Sequence, residues 1–198
     1  MSLTKPCRLR PRVEGERESQ VLQAALDLLA RVGYDRMTMD GVAAEAKAGK
    51  ATLYRRWSTK SSLVVDAILR SKEALQIPDV DTGSLRGDLI AMACAHGGLS
   101  DDRSAQVMAG VVTALHHDRE FAHEFRTRVV QPRIDASRVA FDRARQRGEI
   151  TADLDLDLLS PALAAIILHR SFVLGLAADE STVTRVVDEI ILPAATRP

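Results

Sequence analysis

Apolar residues recur at three- and four-residue spacings through most of this 198-residue chain, and no run alternates apolar with polar side chains over a strand's length. A helix returns to the same face every 3.6 residues, so this period commits the chain to helices packed on helices. With 46% hydrophobic residues it can bury enough surface to offset its ordering entropy, which excludes a disordered chain. The longest apolar stretch, residues 162–168, falls far short of the roughly 20 residues that a membrane span needs. No apolar segment follows the N-terminal Lys5, Arg8, Arg10 and Arg12, so no secretory signal is expected. Cys7 and Cys94 form neither a disulfide framework nor a CxxC pair, as suits a reducing compartment. A soluble, cytoplasmic, all-α protein is expected.

The first helix is predicted over residues 16–32, with Val21, Leu22, Ala25, Leu28, Leu29 and Val32 on one face and Gly33 as its stop. Thr38 reads as the N-cap of a short helix to residue 46, with Met39, Val42 and Ala43 inward. The turn Lys47-Ala48-Gly49 leads to a second short helix over 50–57, and Ser58 or Thr59 can cap a fourth over 60–75, with Leu63, Val64, Ala67, Ile68 and Leu75 inward. Residues 77–83, with Pro78 and Gly83, read as a linker. Further helices are predicted over 84–96, 102–116, 119–147, 157–176 and 181–194. Pro132 lies inside the third of these and should kink or break it near Val130. The resulting division is a basic arm (1–15), a three-helix unit (16–60) with a connecting helix (60–76), and a larger helical domain (77–198).

Lys and Arg balance Asp and Glu at 27 each, but unevenly along the chain. Residues 1–72 hold 14 basic and 8 acidic residues, a net of +6, and the remainder is −6. A basic end joined to an acidic body is expected where one part meets a polyanion, although segregation over solvated helix faces gives the same totals.

Two short helices joined by a glycine-containing turn make a helix-turn-helix, whose second helix enters the DNA major groove. In residues 50–57 (KATLYRRW), Leu53 and Trp57 lie four apart and anchor the helix. Lys50, Thr52, Tyr54, Arg55 and Arg56 are left outside, where cations neutralise phosphates or donate to guanine and hydroxyls bond phosphate oxygens. Thr38 and Lys60 each begin a helix, where free N–H groups already favour an anion. An ordinary helical hairpin with a solvated basic face shares this spacing.

Residues 20–65 resemble the DNA-binding domain of the tetracycline-repressor (TetR) family of transcriptional regulators. The matching features are Ala24-Ala25, Gly33-Tyr34, Thr38, Val42-Ala43, Ala51-Thr-Leu-Tyr54, Trp57 and Lys60. The resemblance implies an all-helical homodimeric repressor whose larger C-terminal domain binds a small effector. By position it places Lys50, Ala51 and Arg55 near bases, Thr38, Thr52, Tyr54, Arg56 and Lys60 on phosphates, and Tyr34 and Trp57 mainly in the core. Two positions depart from the family pattern. Gly49 stands where a small polar cap is usual, and Lys47 where glycine is usual. The arm, Lys5 to Arg12, either tracks the minor groove or backbone or is a free tail.

The remainder is less specific. Residues 84–89 (SLRGDL), 145–149 (RQRGE) and 153–155 (DLD) resemble one C-terminal subgroup of the family. The helices at about 157–176 and 181–194 are apolar around much of their circumference, which predicts a homodimeric four-helix bundle; a monomer would leave one face bare. His96, His116, His117, His123 and His169, with Cys94, lack the spacing that brings ligands to one point; Cys94 and His96, and likewise His116 and His117, should diverge, so no metal or cofactor is expected. Neither a phosphate loop nor a nucleophile motif is present, so no enzyme is expected. An effector pocket would draw on Met92, Met108, Val112, Phe125, Val129, Leu168 and Phe172, with His96, His116 or Arg170 as the polar element, and each of these also fits plain core packing. The expected function is release of a pseudo-palindromic operator on effector binding. The alternative is a helical small-molecule-binding or enzymatic module with a vestigial helix-turn-helix, against which the outward Lys50, Arg55 and Arg56 speak.

Overall fold

Two of the short N-terminal helices begin at a threonine whose side chain satisfies a free backbone N–H, and a third begins at a glycine. The computed structural model of the chain describes residues 14–71, 80–94, 102–151, 153–176 and 179–196, and every regular element within them is helical. The first four are α1 (Glu14–Arg36), α2 (Met39–Glu45), α3 (Lys50–Arg56) and α4 (Lys60–Arg70). Gly33 interrupts α1 with φ 76°, where the stop was expected. Thr38 Oγ1 accepts from Gly41 N–H at 3.0 Å, and Thr59 Oγ1 accepts from Ser62 N–H at 3.1 Å. The connecting helix ends at Arg70, five residues short of its predicted end. Ser71 leaves the helix with ψ 137° while its N–H still bonds Ala67 and Ile68 carbonyls. Leu75 and the start of the linker lie outside the described residues, as do the basic arm and His96.

The remaining helices are α5 (Leu85–Cys94), α6 (Asp102–His117), α7 (Arg119–Phe125), α8 (Gln131–Gln146), α9 (Leu156–Phe172), α10 (Glu180–Val186) and α11 (Leu192–Ala195). The first core gathers the predicted inward faces of α1, α2, α3 and α4, with Val111 and Ala114 of α6 and Phe121 and Phe125 of α7. Residues from both sides of the predicted linker thus share one interior. At Gly110 of α6 an added Cβ would stand 2.8 Å from Leu29 Cδ1, so α1 and α6 pack closely enough that even alanine would push the Leu29 side chain aside. The second core joins Leu85 and Leu89 of α5, Ala140, Phe141 and Ala144 of α8, and Val186, Val187 and Ile191 near the C-terminus.

The long helix predicted over 119–147 neither breaks nor runs through as a plain α-helix. An α-helical Pro132 would drive its ring against the Arg128 carbonyl and lacks the N–H to bond it. The backbone widens instead into a π-helical turn, Arg126–Val130, in which Gln131 N–H bonds the Arg126 carbonyl. The same device recurs ahead of Pro193, where Val187–Ile191 is π-helical and Leu192 N–H bonds the Val187 carbonyl. The predicted 181–194 helix is therefore α10, a π turn and α11.

The subgroup strings 84–89 and 145–149 meet in space. Asp88 is fully buried, and its Oδ1 accepts from Thr82 N–H at 2.6 Å and Thr82 Oγ1 at 2.7 Å. Arg147 lies 3.7 Å from Asp88 Oδ2 and also pairs with Glu149, whose Oε2 accepts from Leu85 N–H at 2.8 Å. These residues clasp the start of α5 to the end of α8. Helix α9 ends at Phe172, four residues earlier than predicted, and Gly175 (φ 65°) follows. Among the described residues no helix is long and apolar enough to cross a membrane.

Candidate nucleic-acid interface

Helix α3 has seven residues and two inward anchors, Leu53 and the following Trp57, which are 1% and 4% exposed. Two buried residues four apart face the core, which turns the intervening side chains out. Ala51, Thr52, Tyr54, Arg55 and Arg56 are all exposed, and Lys50 is exposed at the helix start. Gly49 caps α3 with its extended backbone (ψ 132°) and no side-chain bond.

The turn before α3 shows why its two unusual residues are tolerated. Ala48 N–H bonds the Ala43 carbonyl at 2.8 Å and Lys47 N–H bonds Ala44 at 3.1 Å, the paired bonds of a Schellman ending on α2. That ending requires a left-handed residue, and Lys47 takes it with φ 50°. It is the single non-glycine residue with positive φ among the described residues. Arg17 Nη2 donates to the Lys47 carbonyl at 2.8 Å and holds the turn against α1. A fork from Arg31 to Glu45 fastens α2 to α1 as well, and holds the Glu45 carboxyl below its ordinary range.

The cations expected on DNA differ in how they are engaged. Arg55 makes no ion pair or hydrogen bond with any described residue. Lys50 pairs with Asp40 at 2.5 Å, and Arg56 lies 3.3 Å from Glu18 and 5.8 Å from the Trp57 ring centre. These pairs are solvent-exposed and therefore weak enough for phosphates to displace. Thr38 spends an acceptor site on its helix cap and keeps its O–H donor for solvent or an anion. Lys60, which the resemblance places on a phosphate, also has partners within the protein. Its Nζ donates to the Tyr34 carbonyl at 2.9 Å and stands 3.9 Å from the Tyr34 ring centre.

Sequence reasoning missed the residues that hold this head in place. Tyr34, read as core, is buried and bonds Ser61 Oγ at 3.0 Å and Asp118 Oδ2 at 2.8 Å. Asp118 also caps α7 by accepting from Phe121 N–H at 2.9 Å. Burial, reinforced by Asp118, pushes the Tyr34 phenol well up. Burial works to raise the Asp118 carboxyl too, but bonds from Phe121 N–H, the Tyr34 hydroxyl and Glu120 N–H carry it below its ordinary value. The available signal was chemical: a buried phenol or indole needs a polar partner, and these lie far along the chain.

The residues named for an effector pocket do not converge among the described residues. Phe125 and Val129 are buried in the first core with Met108 packed against it, while Met92 packs against the second. Val112 is half exposed, His116 is exposed, and Phe172 is also exposed beyond Leu168 and Arg170 on α9. The His116 and His117 rings, expected to diverge, meet edge to face at 5.0 Å between centres. His123 and His169 are exposed, each on its own helix. Burial raises the Cys94 thiol, with a smaller push from Glu180. An open groove lies elsewhere, between the end of α1 and α6, lined by Leu29, Tyr34, Arg36, Gln106, Gly110 and Thr113 among others.

Residues 21–67 match the family of bacterial regulatory proteins called tetR, and residues 79–190 match the tetracyclin repressor-like C-terminal domain. The chain is 34% identical over 176 residues to the DNA-binding transcriptional repressor TetR of Mycobacteroides abscessus, spanning 89% of this chain and 92% of that protein. It is 33% identical over 178 residues to the uncharacterized HTH-type transcriptional regulator YdeS of Bacillus subtilis, spanning 90% and 89%. Among solved structures, the TetR family transcription regulator SCO0332 superposes with a TM-score of 0.67 at 26% identity, covering 92% of this chain and 100% of that one. A TetR regulator from Haloarcula marismortui superposes with a TM-score of 0.71 at 17% identity, covering 92% and 100%, a likeness of fold. With both of its halves matched by the family's models and a relative 34% identical along most of both chains, the chain belongs to the TetR family of DNA-binding transcriptional regulators.

Proposed function

We propose that the protein is a homodimeric repressor that reads an inverted-repeat operator through paired α3 helices and leaves it when a small effector binds the C-terminal region. The carrying observation is α3 itself: Leu53 and Trp57 are buried while every other residue of the segment 50–57 is exposed. In this reading Lys50, Ala51 and Arg55 approach base edges, and Thr38, Thr52, Tyr54 and Arg56 hold phosphates. Lys60 contributes by fixing the end of α1, with its remaining donors turned to the backbone of the DNA.

Dimerisation draws support from α9, which has no fully buried residue although 12 of its 17 side chains, Leu156 to Phe172, are apolar or proline. Leu158 is 68% exposed, and Val139 of α8 and Ile190 of the second π turn are about half exposed. A second copy would cover these groups. The same partner face includes Leu168 and Phe172, which are better placed there than in an effector pocket.

Selection of bound sites from a random duplex pool by the purified full chain, near physiological salt, tests the reading. An inverted repeat is expected. Binding without a motif, collapsing as salt rises, would leave a non-specific polyanion binder instead.

A further inference from the structure

Trp57 closes the recognition helix, and its indole N–H is not left to water. Nε1 donates to Asp66 Oδ2 of α4 at 2.8 Å. The other oxygen of the same carboxylate, Oδ1, accepts from Arg128 Nη2 at 2.5 Å. Arg128 sits in the π-helical turn between α7 and α8, with Nη1 3.4 Å from Glu124 Oε2. One carboxylate therefore joins the end of α3 to an irregular turn 71 residues further along the chain.

The irregularity matters for where Arg128 points. Each residue of an α-helix turns its side chain by about 100°, so the extra residue accommodated by a π turn resets the facing of everything before it relative to α8. The next residue, Val129, is buried in the first core, and its carbonyl accepts from Arg133 Nη1 at 2.5 Å. The backbone beside Arg128 is thus tied to α8 where its side chain reaches out to Asp66. On the DNA side, α3 is so short that Leu53 and Trp57 are its two anchors, and the Asp66 bond orients one of them.

We infer that Asp66 and Arg128 are positioning residues for operator recognition: Arg128 fixes the Asp66 carboxylate, Asp66 fixes the Trp57 ring, and the ring sets the attitude of α3. This rests on the operator-binding reading. It gives the C-terminal half a hold on the recognition helix through one carboxylate of α4, in addition to the Tyr34–Asp118 bond that ties α7 to α1.

The test is a double-mutant cycle on affinity for a duplex that the wild-type chain selects from a random pool. Arg128→Met is expected to weaken binding about tenfold in the wild-type background and less than about twofold in a Trp57→Phe background, where the indole N–H is gone and a smaller aromatic ring remains. Equal losses in both backgrounds would overturn the proposal, because a merely structural Arg128 acts regardless of the indole. Should Arg128→Met melt below the assay temperature, Arg128→Lys, which keeps the charge and loses the fork, is expected to show a smaller loss with the same background dependence.

A second arm needs no DNA. Trp57 is the single tryptophan of the chain. Excitation moves electron density from the pyrrole to the benzene side of the indole, so a negative charge at Nε1 shifts emission to the red. Arg128→Met, which uncovers the carboxylate charge, is expected to shift emission red, and Asp66→Asn is expected to shift it blue. Unchanged emission in both would overturn the clamp. If no duplex can be selected, the operator reading fails, and this arm alone decides whether Asp66 and Arg128 hold the indole.

Discussion

The Tyr34 hydroxyl donates to Asp118 Oδ2 at 2.8 Å, bonding the last turn of α1 to the residue that caps α7. Tyr34→Phe removes that donor and leaves the packing of the ring on Phe121, at 4.9 Å between centres, intact. A hydrogen bond to a charged acceptor contributes about 1.5–3 kcal/mol, and a loss of that size is expected in urea unfolding. The pH dependence supplies a second reading. Asp118 is held below its ordinary value in the folded state, so the unfolded chain binds more protons between the two values. Its contribution is complete above the ordinary value and is lost as pH falls through the lower, folded one. Tyr34→Phe should flatten the acid limb of the stability profile; an unaltered limb would show that the phenol does not stabilise the carboxylate.

Lys47 takes a left-handed conformation that costs a residue with a Cβ about 1–2 kcal/mol, and glycine avoids that cost while losing more entropy on folding. Lys47→Gly is therefore expected to raise stability by about 1 kcal/mol. Thermal unfolding of the two chains checks the sign. A destabilised glycine variant would mean that the lysine side chain itself holds the turn.

These two sites mark what could and could not be read from the chain. The helix-turn-helix was legible because its determinants are local: Thr38 and Thr59 cap helices that begin next to them, and Leu53 and Trp57 lie one turn apart. Pro132 signalled an irregularity, but whether a helix breaks or widens depends on what packs around it, and here Val129 and Phe125 bury both ends of the turn. Asp66 and Arg128 carry no local signal and Asp118 signals only the start of a helix, since each holds the head through a partner that only the fold brings near. The apolar pocket candidates lie on helices whose inward faces the period alone does not distinguish. Val112 faces out while its neighbour Val111 is buried.

Arg55 and Arg56 are adjacent on α3 but should fail differently. Arg55, without a partner among the described residues, is the one proposed to reach a base edge; Arg55→Ala is expected to cost about 1–3 kcal/mol and to relax preference at one operator position. Arg56 leans on Trp57 and Glu18, so Arg56→Ala should weaken all sequences alike and lower the salt slope by about one. Site selection and salt titration of both variants check this. Identical effects on preference would defeat the division of roles.

On α9, Leu158, Ala165 and Phe172 are exposed at seven-residue intervals, with half-buried Pro161 and Leu168 between them. That is the spacing of a helix seam, in which side chains from a facing helix fill the gaps. Ala165 lies at the middle of the stripe, where a small residue allows close approach and a carboxylate would be buried without a partner. If the proposed dimer forms through this stripe, Ala165→Glu is expected to convert it to a monomer in sedimentation equilibrium at micromolar concentration. The monomer's fold should persist, because Ala165 touches neither core among the described residues. Affinity for an inverted repeat should fall by about a hundredfold or more, since the second head no longer binds at a high effective concentration. A variant that remains dimeric would place the partner face elsewhere, and one that is monomeric with unchanged operator affinity would mean that each head binds its half-site alone.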